Sequence, residues 1–331
     1  MLPLFALALN GCGENPVHDE AALIELGNYL FFDQRLSGDG SISCATCHDP
    51  NHGWADGSPL SQTYPASDGF RNSKSLINVS SRTVFYWDGA YSGSDPSEPT
   101  AEMITGKLFL NMHDYLLTER MKQVPEYVAL FERALGAEPS FDGVIQSLVA
   151  FQTTLTTGDE LESLESASVQ RGRDLFGGKA QCSTCHSGVR MTDALAHSTG
   201  VPENPIIFQD PLRHTAYRVY LKEHEVEDYM TIGQDVGRFA VTKNELDRGA
   251  FITPDLRQVA DTAPFMHNGV FSTLQEVVRF YDERGEGLGL TPTEMTDVVS
   301  FLENLSRAMP EISDMPSPAY QVSAEWLEVS N

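Results

Sequence analysis

Basic residues are scarce: 22 Lys and Arg stand against 47 Asp and Glu in 331 residues, a formal charge of −25. A surface of that sign repels polyanions, which excludes nucleic acid as a partner. The carboxylates are scattered in pairs and triplets, as on a solvated acidic face or a docking face for a basic redox partner. Long apolar runs are missing as well. The longest, in MLPLFALALNGCG at the N-terminus, is too short to span a bilayer. Runs that alternate apolar and polar residues are also lacking, so a sheet-based fold is not expected. Cysteine is nearly absent, with five in the chain. Four of them fall in two pentapeptides, CATCH at 44–48 and CSTCH at 182–186, which leaves Cys12 alone.

Two cysteines flanking two small residues, with a histidine next, are what covalent haem attachment needs. The thiols of Cys44 and Cys47, and of Cys182 and Cys185, add to the haem vinyl groups, and His48 and His186 ligate the irons. Zinc is the competing use of paired CxxC motifs, but zinc ribbons set their pairs about 15 to 20 residues apart and need no histidine directly after each. The N-terminal apolar run suits the h-region of an export signal. Its LNGC ending resembles a bacterial lipoprotein cleavage site, with Cys12 as the lipidated residue, although Asn10 is unusual there and no Lys or Arg precedes the run. The mature protein is therefore expected in the periplasm or cell envelope, where c-type haem is attached, with Cys12 as a possible membrane anchor.

A chain of this length suits two domains of about 150 residues each, and 41% hydrophobic content can fill two cores. The fold class expected is mainly α: two cytochrome c-like domains, each with one covalent haem c, and long loops. Residues 1–19 read as signal and linker, 20–165 as the first haem domain, 166–310 as the second, and 311–331 as a tail. Leu23, Leu26 and Leu30 repeat at helical spacing, as do Val144, Ile145, Leu148 and Leu155. The polar segment at 158–168 marks the domain boundary. Ser272 with Gln275, and Thr291 with Glu294 and Pro292, predict capped helices over about 273–283 and 292–306. The stretches 50–100 and 187–265 are rich in loop formers, and beyond the haem motif no repeat joins the halves.

The words LGNYLFFDQRLSGDGSISCATCHDPNHGWADG, RNSKSLINV, FYWDG, GRDLFGGKAQCSTCHSG and TAPFMHNGVFSTLQEVVRFYD follow in that order. In them the chain resembles the bacterial dihaem cytochrome c peroxidases and their MauG-type relatives, over about residues 20–308. The resemblance implies that the N-terminal haem reacts with hydrogen peroxide and that the C-terminal haem relays or stores electrons. It implies a calcium ion held by the Asn72 side chain and the Thr262 and Pro264 carbonyls, oxygen ligands suited to a hard cation. It also implies that Trp87 passes electrons between the haems. On their own, these residues read as an ordinary loop asparagine, a turn and a core tryptophan.

Two departures from the family pattern bear on chemistry. Many members carry a displaceable histidine ligand eight positions before the asparagine of RNxxSL; here that residue is Tyr64, and no histidine lies between His52 and His113. Fourteen positions beyond His267, where ordinary peroxidases have methionine, stands Tyr281, as in MauG-like members. A phenolate favours higher oxidation states, whereas a thioether favours ferrous iron. Tyr281 is thus the expected sixth ligand of the His186 iron, with Met266 as the rival and a core tyrosine as the bland alternative. The distal acid that moves the proton is expected at Glu102, with the neighbourhood of Asn111 to Asp114 as the other choice. The function expected is MauG-like peroxide reduction that draws on a protein or small-molecule substrate. The alternatives are an ordinary peroxidase fed by a small cytochrome or copper protein, and a dihaem electron carrier without catalysis.

Overall fold

The computed structural model describes residues 17–64, 68–158, 166–285, 287–310 and 312. Cys12, residues 159–165 of the polar segment and the tail apart from Ile312 lie outside the described residues. The leucine stripe of the first word folds as α1 (Glu20–Phe32), whose first turn is closed by Asp19 accepting from the Ala22 N–H at 3.1 Å. Of the second stripe, Val144, Ile145 and Leu148 lie on α6 (Phe141–Thr153), capped by Ser140, while Leu155 is buried just beyond the end of the helix. Between them lie α2 (Cys44–Cys47), α3 (Ser97–Thr105), α4 (Asp114–Lys122) and α5 (Pro125–Leu135). The inward faces of α1, α4, α5 and α6 build one apolar cluster around Leu26, Leu30, Trp54, Phe131 and Phe151.

The C-terminal half repeats this plan. Helix α7 (Ala167–Gly177) packs on α12 (Pro292–Glu303), with α11 (Leu274–Glu283) beside it, around Phe176, Val298 and Phe301. Both halves cross their first and last helices at a glycine. A Cβ on Gly27 would stand 1.9 Å from the Ser147 carbonyl oxygen and 2.8 Å from Phe151 Cβ; one on Gly172 would stand at the same distances from Asp297 and Phe301. The halves therefore do share more than the haem motif, contrary to the expectation above. GNYLF at 27–31 matches GRDLF at 172–176, and SLVAF at 147–151 matches DVVSF at 297–301. The match escapes notice because only one glycine, two phenylalanines, one leucine and one valine are identical in the two pairs.

A third cluster was not anticipated. The segment carrying α8 (Ile206–Gln209), α9 (Pro211–Glu223) and α10 (Phe239–Thr242) buries Tyr217, Tyr220 and Phe239 against Leu60 and Phe70 of the N-terminal half. Loop residues of one half thus complete the apolar surface of the other. Apart from isolated bridges, strands among the described residues are confined to two short antiparallel pairs, β1 (Val84–Phe85) with β2 (Tyr91–Ser92) and β3 (Ala196–His197) with β4 (Phe251–Ile252).

The Thr291–Glu294 capping box with Pro292 at the first turn is present. At α11 the box sits one residue later than expected, on Thr273 and Glu276, because the Glu276 carboxylate accepts from both the Ser272 and Thr273 N–H groups at 2.8 and 3.0 Å. Helix α12 ends at Glu303 instead of 306. Leu305 turns into the core, and the Arg307 N–H donates to Gln258 Oε1 at 2.6 Å.

Candidate active site

Each CxxCH word forms one tight turn that aims its histidine. The His48 N–H donates to the Cys44 carbonyl at 3.0 Å, and the His186 N–H donates to the Cys182 carbonyl at 2.9 Å. His48 Nδ1 lies 3.1 Å from the Trp54 carbonyl oxygen, and His186 Nδ1 lies 3.0 Å from that of Met191. A carbonyl only accepts, so Nδ1 carries the proton in both rings and Nε2 is left as a lone-pair donor. Trp54 and Met191 both adopt positive φ, 60° and 55°, which turns their carbonyls toward the rings. Burial lowers His48 to about 4 and also lowers His186, so both imidazoles are neutral near pH 7, as metal ligands must be. Burial raises Cys44 and Cys47 to about 12. These are protected thiols in an apolar setting.

A cavity of ≈ 640 Å³ opens in front of His186, within the range of cofactor sites. Its walls are mostly apolar, with Phe176, Leu256, Phe265 and Val277 among them, and Cys182 and Cys185 stand at its edge. Thiols, an Nε2 donor and apolar walls together fit a covalently attached macrocycle with an iron centre. Tyr281 of α11 lines this cavity, and so does Met266. The structure therefore brings both candidate sixth ligands to the cavity that holds His186. Burial raises the Tyr281 pKa, opposed by a hydrogen bond from the Thr199 side chain and by the Arg284 charge.

Asn72, Thr262 and Pro264 line the same cavity. Asn72 is tied on three sides: its N–H donates to His267 O at 2.7 Å, Nδ2 donates to Ser58 O at 2.8 Å, and its carbonyl accepts from Trp87 Nε1 at 2.8 Å. Its Oδ1 is uncommitted among the described residues, and neither the Thr262 nor the Pro264 carbonyl accepts a backbone hydrogen bond. Oxygens left over in this way suit a hard cation. Trp87 also lines the cavity, and the segment that holds it reaches the other motif. Next to Asn72, Ser73 Oγ donates to Cys47 O at 2.6 Å. One short segment therefore touches the His48 turn, Trp87 and the His186 cavity.

Glu102 lies on α3, half-buried, with Oε1 packed against the bare Cα of Gly106. Burial raises its pKa, and the Glu223 charge from the end of α9 adds to this. The other neighbourhood considered for the acid places its carboxylate outside, since Asp114 opens α4 with its side chain 59% accessible. Tyr64 donates its N–H to Phe109 O at 3.1 Å, and its ring lies near Gly38.

The chain is similar to known proteins over most of its length. The model of the di-haem cytochrome c peroxidase family matches residues 21–168. Cytochrome-c peroxidase IdrP2 of Pseudomonas sp. (strain SCT) is 40% identical over 314 residues, covering 91% of this chain and 85% of the relative. The chain belongs to the di-haem cytochrome c peroxidase family. It is an oxidoreductase of the peroxidase and MauG type, whose cofactors are haem c. The methylamine utilization protein MauG of Methylorubrum extorquens (strain ATCC 14718 / DSM 1338 / JCM 2805 / NCIMB 9133 / AM1) is 34% identical, covering 91% of this chain and 82% of that one. A crystal structure of a MauG-like protein associated with microbial copper homeostasis shares the mainly helical fold at a TM-score of 0.75 and 24% identity, covering 93% of this chain and 95% of that one.

Within this peroxidase, several residues that frame the site went unnoticed in the sequence. Arg71, beside Asn72, pairs with Asp88 at 2.5 Å and with Asp235 at 2.7 Å, and Tyr220 donates to Asp88 at 2.7 Å. This triad ties the RNSKSL word to FYWDG and to the C-terminal half; burial is offset by the opposite charges, so Asp235 titrates below the usual carboxylate range. His267 is sandwiched, with its ring stacked 3.6 Å from Phe251 and edge-on to Trp87, and burial lowers it to about 4. Lys74 Nζ lies 4.6 Å over the Trp87 ring, and burial together with the Arg82 charge lowers it to about 7. Arg71 and Asp88 could have been found inside the two words they anchor. Asp235 sits in the loop-rich stretch, where sequence offers no sign of its partner.

Proposed function

We propose that this chain reduces hydrogen peroxide at a haem attached through Cys44, Cys47 and His48. It shares the oxidising equivalents with a second haem on Cys182, Cys185 and His186, as the resemblance to MauG-type members implies. One peroxide takes up two electrons and two protons to give two waters. Bound haem supplies the iron where the O–O bond breaks and where oxidising equivalents are held. His48 and His186 would hold the two irons, each oriented by the carbonyl that accepts its Nδ1 hydrogen bond. Glu102 moves the proton as the distal acid. Burial keeps more of it protonated near neutrality than an exposed glutamate would be. Trp87, fixed by Asn72 and Ile252, passes electrons between the two centres.

Tyr281 is the proposed sixth ligand at the second site. Its anionic form stabilises higher oxidation states, and coordination offsets the burial that opposes its ionisation. One observation carries the proposal: Tyr281 and Trp87, from opposite halves, wall the cavity that holds His186. The second possibility, an ordinary peroxidase fed by a small cytochrome or copper protein, is supported by Met266 in the same wall. A carrier without catalysis needs both irons six-coordinate, and the lack of a histidine between His52 and His113 argues against that. A calcium ion on Asn72, Thr262 and Pro264 would join the halves. Placement in the periplasm or cell envelope, with an anchor at Cys12, completes the proposal. No helix among the described residues is long and apolar enough to cross a membrane.

Peroxide titration of the diferric holoprotein under spectroscopy tests the proposal. A high-spin ferric haem at rest and a reaction without prior reduction are expected, and Tyr281→Phe should abolish storage of two oxidising equivalents while both haems remain. A protein that is inert until one haem is reduced, or a Tyr281→Phe variant with an unchanged low-spin signal and peroxide product, would leave the ordinary peroxidase with Met266 as ligand.

A further inference from the structure

The cavity in front of His186 is mostly apolar, and four cations line it: Lys74 and Arg82 from the N-terminal half, Arg257 and Arg284 from the C-terminal half. Lys74 donates to the Tyr86 carbonyl at 3.4 Å and lies over Trp87; Arg82 donates to the Ile77 carbonyl at 3.3 Å. Neither forms an ion pair among the described residues. The two acids nearest to them are already engaged, Asp88 by Arg71 and Tyr220, and Asp255 by Arg190. Two cations facing a mostly apolar cavity, satisfied only by neutral carbonyls and a ring, are an unfavourable arrangement unless an anion meets them there.

The group that this cavity suits brings its own anions. A haem thioether-linked at Cys182 and Cys185 carries two propionate carboxylates; of the other two cations in the wall, Arg257 donates to the Val189 carbonyl at 2.9 Å and Arg284 to the Ser198 carbonyl at 3.2 Å beside the thioether end. We propose that Lys74 and Arg82 bind the propionates of the His186 haem, so that the N-terminal half completes the cofactor site of the C-terminal half. The proposal rests on haem attachment at 182–186. It gives Lys74 a second role, because the cation that meets the propionate also lies on the face of Trp87. Lysine and arginine act here as charge donors to a carboxylate, with Arg82 able to give two parallel hydrogen bonds.

The test uses the holoprotein and its Lys74→Met, Arg82→Met and Lys74→Arg variants, with Arg284→Met as the rival, since Arg284 also lines the cavity. Haem content, the propionate bending band in resonance Raman and the midpoint potential of each haem are measured. Two haems per chain are expected throughout. Each Met variant should shift the propionate band and lower the potential of the His186 haem, because a nearby cation favours the reduced, less positive state. A tenfold change in the ferric-to-ferrous equilibrium per cation corresponds to about 59 mV for a one-electron couple. Lys74→Arg should restore both readouts. If both Met variants lose the second haem while Lys74→Arg retains it, the proposal is supported as well. Unchanged band and potential in Lys74→Met and Arg82→Met, a shift in Arg284→Met alone, or a change confined to the His48 haem would overturn it. A wild-type count of one haem would instead remove the attachment on which it rests.

Discussion

Replacing Gly172 with alanine should separate the two halves of this enzyme by their response. The added Cβ would lie 1.9 Å from the Asp297 carbonyl oxygen, where real contacts stay above 3.0 Å, so α7 and α12 must part by about 1.1 Å. The obstacle is backbone, which no rotamer change relieves. Overpacking of a tight core costs ~1–3 kcal/mol, and a backbone clash belongs at the upper end. Alanine returns ~1 kcal/mol of helix propensity, for a net loss of about 2 kcal/mol. At roughly 2–4 °C per kcal/mol for a unit of 150–250 residues, the C-terminal half should melt about 4–8 °C earlier. Phe176 of α7 and Val298 and Leu302 of α12 wall the His186 cavity, so the spectrum of that haem should change while the His48 haem keeps its own. Gly27→Ala should do the reverse. Thermal scans followed at haem absorption and in the far ultraviolet provide the assay. If Gly172→Ala melts with wild type and leaves the His186 haem spectrum untouched, the crossing does not have the closeness that the argument needs.

Glu102→Gln should slow peroxide reduction by roughly 10²–10⁴-fold, with haem content unchanged and the Glu102-dependent limb lost from the pH–rate profile; a rate within twofold of wild type would move the distal acid elsewhere. Asp235→Asn removes one of the two carboxylates paired with Arg71 while Asp88 still compensates its charge, and should cost about 1.5–3 kcal/mol, read from denaturant midpoints. The folded pKa of Asp235 is depressed, so its contribution is present above the unfolded value of ~3.9 and is lost as pH falls through the folded one. The wild-type advantage over Asp235→Asn should therefore shrink in acid and persist at pH 7. A chelator, or Asn72→Ala, should lower the melting temperature if calcium bridges the halves, and with calcium at ~100 times its dissociation constant the loss is about 2.7 kcal/mol. Equal melting with and without chelator would dismiss the ion.

What could be read along the chain was whatever neighbouring residues settle among themselves. The CATCH and CSTCH turns, the Thr291–Glu294 box with Pro292 and the leucine stripe of α1 each depend on groups within a few positions, and each is in the structure. The α11 box shows the limit of even this. Ser272 with Gln275 and Thr273 with Glu276 are equally good patterns, and the choice fell to the residue whose charged carboxylate binds two N–H groups best.

Tertiary structure alone decided the rest, because the forces involved act between groups that are distant in sequence. The Arg71–Asp235 pair spans 164 positions, and an acidic chain offers many carboxylates as partners until folding excludes water from one of them. The raised pKa of Glu102 comes from burial and from Glu223 of the opposite half. The glycines at 27 and 172 became a repeat only when each was seen against the carbonyl it touches. Sequence by itself determined the two CxxCH words and the residues that could serve a haem at each; packing decided that Tyr281, Met266, Trp87 and Lys74 share one cavity, since closeness in space belongs to the fold and not to the order of the chain.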